Sequence, residues 1–190
     1  MTNHNLPQLS LAGQLLLAMP DMPDPRFARS VILICVHDEG GALGIALHEP
    51  MEGIGLHRLL DSFDIVGDEV DDAIVLAGGP MEPRRGFVLH SSDWIANDSH
   101  AITADIALTG SLEVLTAIAE GVGPKDRLIA LGYAGWGEGQ LEAELASPGW
   151  FVSKADPMRL FGMAPEDRWA GAFELEGIDP AMLAISSGHA

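Results

Sequence analysis

Gly132-Tyr133-Ala134-Gly135-Trp136-Gly137-Glu138-Gly139-Gln140-Leu141-Glu142 is the stretch on which the reading of this chain turns. Its first eight positions hold four glycines and two large aromatics. The apolar run Leu128-Ile129-Ala130-Leu131 precedes it and a helix-prone acidic segment follows. Glycine is needed where φ turns positive or where another group must approach the backbone closely. The pattern predicts a strand over 127–131, a glycine-rich turn, and a helix over 139–146 whose Leu141 and Leu145 share a face. Such a turn builds either a site or a tight corner, and both readings stand on the residues alone. A dinucleotide loop is disfavoured. The glycines at 135, 137 and 139 lack the G-x-G-x-x-G spacing, and Trp136 stands where a pyrophosphate needs bare backbone.

Working outward, hairpin-like strands outnumber strict strand–helix alternation, which predicts an α+β fold. Residues 31–37 are apolar and β-branched, turn at Asp38-Glu39-Gly40-Gly41, and return over 42–47 as a hairpin. Leu15 to Met19 reads as a buried strand halted by Pro20, and Asp24-Pro25 as an N-cap followed by a helical turn over 25–28. Further strands are expected over 73–77, 87–90 and around 102–108. Residues 56–63 and 111–120 carry helical stripes, the second ended by Gly121 and Gly123-Pro124. Short helices are expected over 157–161 and 165–173. Residues 68–72 read as a solvated acidic loop, and 1–13 as a loose lead-in to a single domain spanning 1–190.

The charge balance narrows the partners. The 190 residues carry 28 acids against 10 bases, a net charge of −18, and only two of the bases are lysines, Lys125 and Lys154. Affinity for phosphate backbones and anionic lipid comes largely from Lys and Arg, so direct nucleic-acid binding is disfavoured. At 47% hydrophobic residues the chain is not a disordered polyanion. No basic leader with a long apolar stretch opens it and no run approaches a membrane span, which reads as a cytoplasmic protein without membrane contact. The lone Cys35 lies inside Val31-Ile32-Leu33-Ile34-Cys35-Val36 and reads as a buried, inert thiol.

Neither a P-loop, a G-x-S-x-G elbow nor an H-E-x-x-H motif is present. The seven histidines include no pair at the spacings that present two ligands together, so no metal site and no cofactor are expected. Glu138 and Glu142 sit four apart at a helix start, where the dipole favours negative charge; general-acid work is the other reading. With bases so scarce, Arg29 and Arg84-Arg85 stand out. They serve either structural ion pairs, with Asp24 or Glu142 as partners, or an anion pocket beside the glycine turns. Tyr133, Trp136 and Trp150 are candidates for an aromatic wall facing a ligand or partner.

Several segments together resemble the YqgE/AlgH family of small bacterial proteins. They are Gly13-Gln14-Leu15-Leu16-Leu17-Ala18-Met19-Pro20, Asp24-Pro25-Arg26-Phe27-Ala28-Arg29-Ser30-Val31, Gly41-Ala42-Leu43-Gly44, Gly78-Gly79-Pro80, Arg85-Gly86-Phe87-Val88-Leu89-His90, the opening stretch, and Gly188-His189-Ala190. The resemblance implies an α+β fold with a bifurcated, mostly antiparallel sheet curled into a pseudo-barrel and flanked by helices. It implies no established enzymatic activity, and a regulatory label, through a link to alginate production, for one branch. It also implies that Asp24, Arg29, Gly78, Gly79, Arg85, Tyr133, Trp136, Gln140 and Glu142 line a shared groove. The family's usual asparagines are replaced within His48-Glu49-Pro50 and at Pro148. The function expected is that of a non-enzymatic binding or regulatory protein working on a protein partner or small ligand. The alternative is a small anionic-ligand sensor or enzyme using Arg29, Arg85 and Glu142.

Overall fold

The computed structural model describes residues 10–67 and 69–186, the last three as backbone only. Two of the seven histidines, His4 and His189, and with them the Gly188-His189-Ala190 match, fall outside these residues. Of the segment read as a loose lead-in, residues 10–13 are tied down instead: Leu11 N donates to His37 Nδ1 at 3.0 Å and Gly13 N to Ile34 O at 2.8 Å.

Strands β1 (Gln14–Ala18) and β2 (Val31–Asp38) carry unbroken apolar runs over 15–18 and 31–36 because both their faces are covered there. Leu15, Leu17, Val31, Leu33 and Cys35 point into a core closed by Leu160 of α4 (Pro157–Gly162) and by Trp169 and Phe173 of α5 (Arg168–Leu175). Leu16, Ile32 and Ile34 point the other way, against Trp136 and Leu141. Between the strands Asp24 caps a single 3-10 turn, Pro25–Phe27, accepting from Arg26 N at 3.0 Å. The hairpin partner of β2 is β3 (Gly41–Ala46).

The rest of the chain runs β4 (Pro50–Gly55), α1 (Leu56–Asp61), β5 (Ile74–Ala77), β6 (Met81–Ser91), β7 (His100–Ala101), β8 (Ile106–Thr109) and α2 (Leu112–Ala119). It continues through β9 (Arg127–Gly137), α3 (Gln140–Leu145), β10 (Trp150–Lys154), α4, α5 and α6 (Pro180–Ser186). Residues 69–72 are loop, as read. The main path orders the strands β10-β1-β2-β3-β9-β6-β8-β7, with β5 paired to β9 and β4. Among the described residues every pairing is antiparallel except that of β5 with β9. The fold is α+β, a forked sheet curled into a partial barrel with helices flanking it.

The fork lies in the stretch read as a turn. β9 does not stop at Leu131; it continues to Gly137, leaving only Glu138-Gly139 as the turn before α3. One edge of its first half carries β5, through Val75 opposite Ile129 to Ala77 opposite Leu131. The same edge of its second half carries β3, through Gly44 opposite Ala134 to Gly41 opposite Gly137. Pairing thus overrides the weak strand propensity of glycine.

Where β3 and β5 part, three glycines occupy the space. Gly132 takes φ +77° and Gly79 φ +150°. A Cβ on Gly132 would strike Gly79 O, one on Gly79 the Tyr133 backbone, and one on Gly78 Gly132 O. Gly78 itself bridges the branches, donating to Leu131 O and accepting from Ala46 N, both at 2.8 Å.

The distortion also switches faces. Leu131 and Tyr133 would share a face in a regular strand. Instead Leu131 packs with Leu56, Val75 and Val114 while Tyr133 packs beside Phe87. Opposite Gly132, β6 bulges: Met81 pairs Tyr133 and Gly86 pairs Leu131, so Glu82-Pro83-Arg84-Arg85 face a single residue.

Candidate functional site

Beyond the fork the second half of β9 forms one wall of a groove of about 560 Å³. The opposite wall is the segment between β1 and β2, supplying Met22, Pro23, Asp24 and Phe27. Ile32 of β2, Pro80 and Met81 contribute on the strand side; Gln140, Ala143 and Glu144 of α3, then Ser147 through Trp150, complete it. The α3 face is set by helical spacing, since positions 140, 143, 144 and 147 lie on one side.

The polar groups of this groove are locked to one another. Trp136 Nε1 donates to Glu144 Oε2 at 3.0 Å, and Gln140 Nε2 donates to Glu144 Oε1 at 3.1 Å. Gln140 Oε1 in turn accepts from Gly137 N at 3.0 Å, satisfying a backbone donor just before α3. Trp150 meets Phe27 edge to face at 5.9 Å. Phe27 and Met81 remain 37% and 46% exposed, the two large hydrophobic side chains of the groove that stand open to a partner.

Of the residues expected in a shared groove, the structure brings together Asp24, Trp136 and Gln140. Trp150 joins them, whereas Tyr133 faces the core, its ring 5.9 Å from Phe87. Gly78 and Gly79 are spent on the fork. Arg29 lines a separate cavity of about 830 Å³ with Trp169, Glu174 and Asp179, its guanidinium 5.5 Å from a Trp169 ring and its own φ at +56°. Arg85 sits on the β6 bulge, donating to Glu82 at 3.0 Å and lying 5.1 Å from the Phe87 ring centroid.

The expected ion-pair partners also differ. Asp24 binds Arg26 at 2.6 Å, and that hydrogen bond holds its carboxyl below the usual range. Glu142 leaves the groove and accepts from His37 Nε2 at 2.8 Å; because His37 Nδ1 accepts from Leu11 N, Nε2 carries the proton. Glu142's carboxyl is held below its ordinary value, first by its own backbone N–H and then by His37. That favours a fixed carboxylate over a general acid.

Glu144, Met22, Met81 and Phe27 are groove residues that sequence reasoning missed. Glu144 was within reach: it stands four residues after Gln140 and shares its helical face, which Glu142 does not. The other three come from loops and a strand start, where no periodicity points.

Elsewhere, the buried thiol and the buried imidazole of His90 are satisfied rather than reactive, while Arg127 Nε is buried without a hydrogen-bond partner. Burial pushes the Cys35 thiol up to about 12, and its Sγ donates to Leu33 O at 3.5 Å. His90 is fully buried; Nδ1 donates to Ser91 O at 2.9 Å while Nε2 meets Thr109 Oγ1 at 2.8 Å. Among the described residues no three His, Cys, Asp or Glu side chains converge as a metal site, and no helix is long and apolar enough to cross a membrane.

With this geometry in place, the AlgH-like family profile matches residues 15–181. The chain belongs to the AlgH-like family. A UPF0301 protein of Rhizorhabdus wittichii is 51% identical over 181 residues, covering 95% of this chain and 97% of the relative. One of Novosphingobium aromaticivorans is 51% identical over 180 residues with the same coverage. The solution structure of the AlgH protein from Pseudomonas aeruginosa superimposes with a TM-score of 0.77 at 37% identity, covering both chains fully. A crystal structure of a Corynebacterium diphtheriae protein has a TM-score of 0.74 at 20% identity, covering 93% of this chain and 92% of that one; it speaks for the fold alone. The AlgH structure thus shares the fold described above over the whole of both chains.

Proposed function

We infer that this AlgH-like chain is a non-enzymatic cytoplasmic binding protein that seats an apolar, cation-bearing segment of a partner protein in the Trp136 groove. The observation that carries this reading is the lining: Phe27, Met81, Trp136 and Trp150 with Met22 and three prolines, and a carboxylate, Glu144, at its polar end. Aromatics and methionines are enriched where proteins bind, and methionine adapts to irregular partners. The chain's net charge of −18 favours a basic segment and slows approach to nucleic acid. A regulatory role would accordingly run through a protein partner rather than through DNA contact.

The anionic-ligand alternative has less support. Arg29, Arg85 and Glu142 have different neighbours, and Glu142 is engaged by His37.

A peptide panel graded from apolar–basic to acidic tests the reading, read by the fluorescence of Trp136 and Trp150. Apolar–basic members are expected to bind in saturable fashion and to lose at least tenfold affinity for Phe27→Ala/Met81→Ala. Binding no better than the acidic controls, or unchanged in the double variant, overturns it. Sequence-specific DNA binding in a low-salt gel shift overturns the exclusion of DNA.

A further inference from the structure

A further hollow, of about 220 Å³, lies on the other side of the fork, between the β6–β9 ladder and helices α1 and α2. Leu59, Leu115, Ile129 and Leu131 wall it, and Phe63 and Leu112, 43% and 47% exposed, stand at its opening. Its two hydroxyl-bearing residues are committed elsewhere. Thr109 Oγ1 meets His90 Nε2 at 2.8 Å and Ser99 Oγ at 2.6 Å, and Ser111 Oγ donates to Asp98 at 2.9 Å.

Two lining positions, Gly86 and Gly110, have neither the left-handed backbone nor the crowding of the fork glycines. A Cβ on either would meet no atom closer than 3.8 Å. Protein interiors leave few voids larger than a water molecule, yet at these positions the chain forgoes side chains that the backbone would accept. The hollow is therefore kept open by composition.

We propose that this hollow is a binding site for a small, neutral, apolar molecule of roughly seven non-hydrogen atoms, taking about 30 Å³ for each. Neutrality follows from the surroundings. Among the described residues that line it there is no cation, and Asp98 is hydrogen-bonded to Ser111 beside it. A carboxylate headgroup would meet a negative neighbour and no donor side chain left free. An apolar hollow of comparable size, lined by Leu, Ile and Phe, stays dry and accepts benzene.

The test titrates the full chain with n-hexanol and, separately, with hexanoate, followed by amide chemical shifts and melting temperature. Hexanol is expected to shift the Gly86, Gly110 and Leu115 amides to saturation and to raise the melting temperature, with hexanoate at least tenfold weaker. Gly110→Leu and Gly86→Val fill the hollow from different walls, and each should abolish the hexanol shifts while melting no lower than wild type without ligand. Shifts that stay linear, hexanoate binding as well as hexanol, or folded filled variants that bind like wild type overturn the proposal. If a filled variant fails to fold, wild-type saturation and the hexanol–hexanoate ratio decide. The site is independent of the groove, so Phe27→Ala/Met81→Ala should bind hexanol unchanged even if no peptide binds the groove.

Discussion

The two halves of β9 share one strand and divide the work of the molecule. From Ile129 to Leu131 the strand is flanked on both edges, by β5 and β6, with Ile129 and Ala130 buried on opposite faces. From Ala134 to Gly137 it holds β3 on one edge and turns Trp136 toward a groove. Gly132 separates them. The difference teaches that the glycines near 132 are consumed by backbone packing, while the recognition surface is made by the side chains beyond them. A glycine-rich motif is in this case the hinge of a sheet, with the site beside it.

The strongest way to break this comparison is Gly132→Ala. The left-handed backbone costs about 1–2 kcal/mol and the collision with Gly79 a further 1–3 kcal/mol, so urea denaturation should show a loss of about 3 kcal/mol or more. A variant as stable as wild type would show that the fork does not need its glycine.

Next in size is Arg168→Met. Arg168 is 5% exposed; Nη1 donates to Leu47 O at 2.5 Å, just past β3, and Nε donates to Leu160 O at 3.2 Å. Burial lowers its guanidinium to about 10, so it stays charged at neutral pH. Losing both donors should remove about 3 kcal/mol in the same urea experiment. Arg168→Lys should recover only part, because an ammonium lacks the forked geometry that reaches two carbonyls.

A smaller effect follows pH. Burial pushes His48 and His90 below their ordinary value of 6.5. As pH falls below about 6.5 the unfolded chain takes up protons that the folded chain refuses, so stability is full above that value and declines beneath it. Melting temperatures from pH 7.5 to 5, in enough salt to screen the acidic surface, should fall on acidification, and less steeply in His90→Gln. Carboxylates held low, Asp93 by Ser91 and Glu142 by its own backbone N–H, add their losses only further down, below unfolded values of 3.8 and 4.5. A melting temperature that rises between pH 6.5 and 5 contradicts the histidine account.

The smallest stability effect is expected on the groove side. Phe27→Ala and Met81→Ala remove side chains already 37% and 46% exposed, so each should change unfolding free energy by only about 1 kcal/mol, Phe27 more than Met81 because it packs edge to face on Trp150. Large losses there would make the groove a structural element and blur its contrast with the fork.

Local signals carried much of this fold. Asp24 and Pro25 announced their capped turn, Asp38 to Gly41 the hairpin, and Leu112 to Ala119 a helix with its stop signals. What was illegible depended on distant partners. β4 has little strand character in Pro50-Met51-Glu52-Gly53 and exists by pairing with β5. β10, from Trp150 to Lys154, was unassigned because its strand state comes from β1, which lies far away in sequence. The candidate site divides in the same way: the family resemblance places Asp24, Trp136 and Gln140 in the groove, whereas Glu144 takes the position on the helical face that the resemblance gives to Glu142.

By itself the sequence determined an α+β chain with a large excess of acids and an inert cysteine, because composition, capping and apolar periodicity are local or additive properties; the family was legible only through the resemblance of its motif segments, which the profile match over 15–181 bears out. Only the tertiary structure decided that Gly132 to Gly137 is strand, that Gly78, Gly79 and Gly132 meet at a fork, and that Arg29, Arg85 and Glu142 part company. The reason is physical. A glycine's role depends on what approaches its missing Cβ, and a charged side chain's role on which partner satisfies it, and both are set by segments that meet only when the sheet closes.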